Sequence, residues 1–234
     1  VMLVALDRVH QKIKLISLAR DSYVFIPEFA SFSKLAYSYT WGGAAMAVKN
    51  LNYNYYLNVS DYIAVDFDQL AQIIDRIGGV TVNIDEDEAR YLSNYPNVHV
   101  GDCLLDGKTA VSYARIRKSS ATDSDRKRTG RQREVILSIL NTLQTMPLSQ
   151  YPGFVRDCLG MCATSFEAET LLTMAAETLG QNYTVEQYFF PEGQVDWWAG
   201  LIKEYFYYVY DLRRASDRIY RIIYEELYIS GYDD

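Results

Sequence analysis

Cysteine and histidine are scarce in this chain, with Cys103, Cys158 and Cys162 the only thiols and His10 and His99 the only imidazoles in 234 residues. Three thiols are too few for a disulfide scaffold, and neither residue type falls in the clustered spacing of a structural zinc site. One bridge, Cys103 with Cys158 or Cys162, stays open for an oxidising compartment. No apolar run reaches the roughly 18 residues of a membrane span, and there is no signal peptide. There is also no internal repeat, low-complexity tract or interdomain linker. A composition of 49% hydrophobic and 23% charged residues therefore suits one globular domain with a sizeable core. The chain opens mid-strand on Val1-Met2-Leu3-Val4-Ala5-Leu6 without an initiator methionine, which reads as a longer natural protein trimmed at this end. Aromatic residues are plentiful at 14%, mainly through 21 tyrosines. That suits surfaces that meet sugars or amphipathic ligands, and it is equally a habit of composition.

Positive charge is in deficit overall, the net being −7, yet it is concentrated. From Arg115 to Arg133 eight basic residues face only Asp123 and Asp125, a local +6 that leaves −13 for everything else. Such focusing marks an anion site. The segment reads as a strand, Ser112 to Arg117, followed by a helix opening near Asp125. On the strand, Arg115 and Arg117 share a parity and project from one face. On the helix, the apolar stripe Val135, Ile136, Ile139, Leu140, Leu143 runs back through Arg128, Arg131 and Gln132, which the periodicity turns inward. Lys127, Arg133 and Glu134 fall off that face. Buried guanidinium groups need partners; a bound anion supplies them, and so does a structural arginine–carboxylate network.

Around this segment the pattern interleaves strands and helices. Strands are expected at Val1–Leu6, Ile13–Leu18, Tyr62–Val65, Val80–Ile84, Ala110–Ile116 and Val185–Phe190. Helices are expected at Gly43–Asn52, Phe67–Arg76 (ended by Gly78-Gly79), Glu167–Leu179 and Asp211–Leu227, with a turn of helix near Glu88–Leu92. Phe29 to Tyr39 reads as an aromatic loop, and Met146 to Gly153, with two prolines, as another. The architecture expected is α/β, a three-layer α-β-α sandwich with a central mixed sheet in a single domain.

Tyr113-Ala114-Arg115-Ile116-Arg117 followed by Asp125, Arg128, Arg131 and Gln132 in the spacing D-x-x-R-x-x-R-Q resembles the signature of the LytR-CpsA-Psr proteins, bacterial cell-envelope enzymes. Ser17-Leu18-Ala19-Arg20-Asp21-Ser22-Tyr23-Val24 is similar to that family's S-I-P-R-D-T-Y-V, with Ala19 in place of proline. Lys34 to Gly43 resembles its K-(I/L)-N-x-A-Y-x-x-G-G, shortened and without the asparagine. Tyr62 to Phe67, Ile77 to Val82 and Leu105 to Ala110 match more closely. The blocks lie in residues 1 to about 145, and residues 146–234 would complete one catalytic domain, 1–234, truncated at its N-terminus.

The resemblance implies a phosphotransferase that moves a glycopolymer of teichoic acid or capsule type from an undecaprenyl pyrophosphate carrier to peptidoglycan. It implies pyrophosphate binding by Arg20, Lys34, Arg115, Arg117, Arg128, Arg131 and Gln132, with Arg20, Asp125 and Arg128 as catalytic groups. Mg2+ would sit at Asp125, whose acidic partner in the family lies just before Val1. As a helix-terminal carboxylate, Asp125 could equally cap backbone N–H groups. The family also implies an extracytoplasmic location in a bacterium, anchored to the cell membrane through an N-terminal segment, and a polyprenyl tail held between sheet and helices. A stripe such as Val135, Ile136, Ile139 reads the same whether it packs on protein or on lipid. A pyrophosphatase acting on the same lipid is the alternative enzyme. The non-enzymatic alternative is a module that binds polyanions or polyprenyl phosphates. Nucleic acid is not expected, because the arginines point toward an apolar helix face and no basic aromatic RNA-binding motif is present.

Overall fold

The computed structural model describes residues 1–117, 121–178, 183–191 and 196–225, with the side chains of 121–125 excepted. It is a mixed α/β structure. The first stretch runs β1 (Met2–Asp7), β2 (Lys12–Leu18), β3 (Tyr23–Ile26), β4 (Ser31–Lys34) and α1 (Leu35–Tyr55). Next come β5 (Ile63–Ala64), α2 (Phe67–Arg76), β6 (Val80–Ile84), α3 (Glu86–Tyr91), β7 (Gly101–Leu105), α4 (Gly107–Arg115) and α5 (Ala121–Thr145). The remainder is α6 (Tyr151–Met161), β8 (Ala163–Thr164), α7 (Ala168–Thr178), β9 (Thr184–Phe190), β10 (Trp197–Ile202), β11 (Tyr205–Tyr210) and α8 (Leu212–Tyr220). Backbone contacts divide the chain into two compact units, Val1–Asp61 with the chain from Tyr183 onward, and Tyr62–Asn182.

The first unit holds a mixed sheet in the order β1-β2-β9, antiparallel between β1 and β2 and parallel between β2 and β9. As the central strand, β2 is buried at every position after Lys12, which is what a near-continuous apolar run predicts. The polar exceptions are Ser17, fully buried, and Lys14, 1% exposed, whose Nζ lies 3.0 Å from Asp7 Oδ2. The Asp7 carboxylate also accepts the His10 backbone N–H at 3.0 Å and contacts its ring nitrogen. Desolvation pushes its pKa up, but these hydrogen bonds and the Lys14 charge outweigh it and hold the carboxyl well below the usual range.

Two expectations fail here. Residues 29–39 are not a loop: Ser31–Lys34 pairs with β3, Phe25 opposite Phe32, and helix begins at Leu35. The helix is also longer than Gly43–Asn52, and it is broken at Gly42 and Gly43. Gly43 (φ 64°, ψ −159°) occupies a region essentially closed to residues with a Cβ. The break is a geometric necessity. Leu35 N–H donates to Ser22 O, and Asn54 brackets Phe25, accepting from its N–H at 3.0 Å and donating to its carbonyl at 2.8 Å. A straight helix would hold Leu35 and Asn54 roughly 28 Å apart, whereas Ser22 and Phe25 are separated by roughly 10 Å of extended chain.

In the second unit, α2 and α3 start on reciprocal capping boxes, Asp66 with Gln69 and Asp85 with Glu88. Gly78 and Gly79, both at positive φ, lead from α2 into β6, which pairs antiparallel with β7. The strand expected at Ala110–Ile116 is instead α4, Gly107–Arg115. Asp106 caps it by accepting from Thr109 N–H at 2.8 Å, and the buried Ala110, Tyr113 and Ala114 follow helical spacing. Gly107 permits the packing, since a Cβ there would stand 2.0 Å from Ala71 O in α2. Nor is Met146–Gly153 simply loop, because α6 begins at Tyr151 with Pro152 in its first turn. All three cysteines are free thiols.

Packing of α5 on α4 and β6 carries Arg131 into the interior, 4% exposed. Its Nε donates to Glu88 Oε1 at 2.6 Å and an Nη to Ile116 O at 3.2 Å. The other Glu88 oxygen accepts Asp85 N–H at 3.0 Å.

Removing one member of a buried ion pair strands the other. Asp7→Asn should therefore cost about 3 kcal/mol in urea unfolding, and adding Lys14→Met should recover most of it. Because Asp7 titrates lower in the folded protein, its stabilisation is full above about pH 4 and is lost as pH falls through its folded value, so Asp7→Asn should flatten the acid limb of stability. For α5, Glu88→Gln keeps a side chain able to close the capping box but removes the charge. A loss of about 3 kcal/mol would report the Arg131 pair, and a loss under about 0.5 kcal/mol would contradict that role.

Candidate anion-binding site

In the first unit the site is built on the tetrapeptide Ala19–Ser22 that leaves β2. Its backbone is held from several sides. Ala19 N–H donates to Phe190 O at 2.9 Å, Ala36 N–H to Arg20 O at 3.0 Å, Tyr208 N–H to Asp21 O at 2.9 Å, and Leu35 N–H to Ser22 O at 3.0 Å. Beneath it runs a chain of buried hydroxyls. Tyr55 and Tyr210 oxygens are 2.5 Å apart, Tyr210 OH donates to Ser22 Oγ at 2.9 Å, and Ser22 Oγ donates to Ala19 O at 2.7 Å. Burial raises the pKa of both phenols, so they stay protonated and keep donating.

Three charges stand on this frame. Lys34 Nζ lies 2.8 Å from Asp21 Oδ1, both side chains being about 15% exposed, and Arg20 Nε is 3.8 Å from the same oxygen with its side chain 47% exposed. Lys34 Nζ is also 5.6 Å from the centroid of the Tyr207 ring. Two cations around one carboxylate leave a net positive charge that faces solvent through Arg20. Asp21 orients Lys34 without neutralising the cluster, an arrangement suited to an anion with several oxygens.

In the second unit Arg115 ends α4, its guanidinium carbon 4.3 Å from the centroid of the Phe67 ring, and Arg117 lies just beyond, both exposed. The shared strand face expected for them does not exist, because one is on a helix and the other follows it. What positions both is Ile116 between them. It is fully buried, and its carbonyl accepts from Arg131. Tyr113 OH, hydrogen-bonded to the Glu134 carboxylate, makes a second tie between α4 and α5.

The inward phase expected for α5 is corrected in part. Arg131, Val135 and Ser138 are buried, and Ser138 Oγ accepts Thr81 N–H at 2.8 Å, so the buried face centres on these three. At 100° per residue Arg128 falls at its edge, half-buried, and Gln132 about a quarter-turn away, exposed. Arg133, expected to face away, is half-buried. Arg131 has a carboxylate and a carbonyl for partners, as in the structural-network reading. The Asp125 side chain lies outside the described residues.

Arg20 and Lys34 are thus brought together around Asp21, and Arg115 and Arg117 are held on either side of a carbonyl that Arg131 grips. Sequence reasoning missed Glu88, Tyr207 and the Tyr113–Glu134 tie. The box Asp85-x-x-Glu88 announces a helix cap, but nothing in it announces that its second oxygen serves Arg131. Among the described residues no group of three His, Cys, Asp or Glu side chains could hold a metal ion. The carboxylate nearest the cations, Asp21, is engaged by Lys34, so these residues do not by themselves fit Mg2+.

The polyisoprenyl-teichoic acid–peptidoglycan teichoic acid transferase TagU of Oceanobacillus iheyensis is 30% identical over 181 residues, 74% of this chain and 55% of the relative. TagU of Enterococcus faecalis is 30% identical over 132 residues, 56% and 42% of the two chains. The regulatory protein MsrR of Staphylococcus aureus is 29% identical over 162 residues, 67% and 48%. The chain spans about half the length of the curated relatives it matches. Among solved structures, TagT of Bacillus subtilis superposes with a TM-score of 0.77 at 19% identity, covering 95% of this chain and 84% of the other, which establishes a shared fold. The LytR_cpsA_psr family profile matches residues 1–220, and the chain therefore belongs to the LytR-CpsA-Psr family.

Proposed function

We propose that the protein transfers a glycopolymer from a polyprenyl pyrophosphate carrier to a sugar hydroxyl of peptidoglycan, outside the cell membrane of a bacterium. The observation that carries this reading is the pair Arg20 and Lys34, organised by Asp21 on a rigid turn, in a member of a family whose TagU relatives are named for that transfer. The acceptor hydroxyl oxygen attacks the phosphorus that carries the glycan. A new P–O bond forms, the bond to the bridging oxygen breaks, polyprenyl phosphate leaves, and the hydroxyl proton passes to solvent or to a nearby carboxylate.

Charge accumulates on the equatorial oxygens and on the leaving phosphate, and that is where fixed cations act. Arg20 offers a planar fork to two oxygens, and Lys34 a point charge whose position Asp21 sets. Within the second unit Arg115, Arg117 and Arg128 are the candidate phosphate-binding cations that the family resemblance picks out, with Gln132 a neutral donor. Arg131 is a positioning residue, since it grips the carbonyl between Arg115 and Arg117. Mg2+, with Asp125 as its protein ligand, would offset leaving-group charge when bound; no step here depends on it. No described helix is long and apolar enough to cross a membrane.

Turnover of a lipid pyrophosphate by purified protein tests the reading. Arg20→Ala should lower the rate by about 10² to 10³ while leaving thermal unfolding close to wild type, because its side chain is half exposed. Lys34→Ala should lower the rate as much and also lower thermal stability, because it leaves the buried Asp21 oxygen without its ion-pair partner. Arg128→Ala should behave like Arg20→Ala, and Lys127→Ala, on the exposed side of α5, should turn over normally. Activity retained in both Arg20→Ala and Lys34→Ala, or lost in Lys127→Ala alone, would contradict it.

A further inference from the structure

One face of the β3–β4 hairpin is paved with rings. Alternation along the strands buries Val24, Ile26 and Ser33 on the other face. Facing away from them are the cross-strand pairs Tyr23 with Lys34 and Phe25 with Phe32. The Tyr23 and Phe32 rings stack with centroids 5.1 Å apart and planes 21° from parallel, and Phe25 meets Phe32 at 5.3 Å. Tyr53 of α1 extends the file beyond Phe25 at 5.8 Å, and Tyr207 of β11 extends it beyond Tyr23 at 4.9 Å. The five rings Tyr207, Tyr23, Phe32, Phe25 and Tyr53 form a continuous path that meets the cation cluster where Lys34 approaches Tyr207.

Phe32 and Tyr53 are more than half exposed, although burying a large apolar side chain is worth about 1.5–3 kcal/mol. The hairpin's core is already served by Val24 and Ile26, so these rings are surplus to folding, and contiguous exposed rings mark binding surfaces. Charge decides what they bind. From Phe32 to Tyr53 the file contains no cation, and the nearby Lys49 is paired with Glu28 at 2.8 Å. A phosphate-rich polymer gains nothing there, and an anionic membrane surface would call for a basic cluster. A neutral pyranose, which presents a face of C–H bonds edged with hydroxyls, stacks on aromatic faces of this kind.

We propose that this file of rings is a track for the neutral sugar rings of the acceptor glycan strand, leading them to the anion site at Arg20 and Lys34. The proposal rests on the transfer reading above and assigns Phe32 and Tyr53 as acceptor-specificity residues. Calorimetry with the β-1,4-linked tetramer of N-acetylglucosamine as probe tests it on the full chain. Phe32→Leu and Tyr53→Leu, which keep apolar area but lose the ring, should each weaken binding roughly tenfold. Phe32→Tyr should hold it within about twofold. No binding of the tetramer, or equal binding by the leucine variants, overturns the track. It is overturned too if those variants instead lose binding to poly(glycerol phosphate) or to phosphatidylglycerol vesicles. The transfer reading fails separately, if pyrophosphate binding does not depend on Arg20 or Lys34.

Discussion

The Glu88 carboxylate serves two donors at once, the Asp85 N–H that opens α3 and the buried Arg131 guanidinium from α5. An unpaired buried guanidinium costs several kcal/mol, so α5 can dock only in the rotation that delivers Arg131 to Glu88. That rotation places Val135 and Ser138 on the core, leaves Arg128 at the margin and turns Gln132 to solvent. The pair's net contribution to stability can be small even though breaking it is expensive, because desolvation offsets much of the Coulomb gain. What it supplies is orientation. The same guanidinium reaches Ile116 O, so the angle of α5 and the path of the segment bearing Arg115 and Arg117 are set by one side chain.

Carboxylate and cation are paired again in the first unit, with two outcomes that exposure separates. Lys14 is 1% exposed and sealed against Asp7 in the middle of a sheet. No ligand can reach it, and its role ends with the fold. Lys34 makes an ion pair of similar length with Asp21, but at 15% exposure, beside the half-exposed Arg20. There the carboxylate aims a cation at solvent. The resemblance to a known family drew attention to Lys34, and burial explains why the neighbouring Lys14 has a different fate.

Legibility followed chemistry that is local. Phe67–Arg76 was readable to the residue because Asp66, Gln69 and Gly78-Gly79 punctuate it, and Val80–Ile84 because it alternates. Helix α4 was misread as a strand since Val111, Tyr113 and Ile116 favour strands individually. Its helicity depends on the Asp106 cap and on Gly107 lying against Ala71, a contact between segments distant in sequence. The β10–β11 hairpin went unread because Lys203 and Glu204 take the positive φ values of its turn where Asn-Gly would be the usual signal. For the site, Arg128, Arg131 and Gln132 were picked out by helical spacing and Arg20 and Lys34 only by the family resemblance, and neither signal told the environment of these side chains. Arg131 and Gln132 are adjacent and both polar, and only the location of Glu88 tells them apart.

The cation cluster also depends on a residue with no chemistry of its own. Lys34 and the outward rings of the hairpin share a face by strand parity, so a slip of one residue would send Lys34 and Phe32 inward and bring Ser33 out. Polar alternation guards the register only weakly on a four-residue strand. The amide of Asn54 supplies the missing constraint, since it binds both the N–H and the carbonyl of Phe25, and a primary amide has the donor and acceptor side by side to make that double contact. Asn54 can reach Phe25 only because the helix doubles back at Gly43. A glycine with φ of 64° and an asparagine eleven residues later thus hold the strand pairing that aims Lys34, and this explains how a site of surface cations comes to rest on the interior conformation of α1.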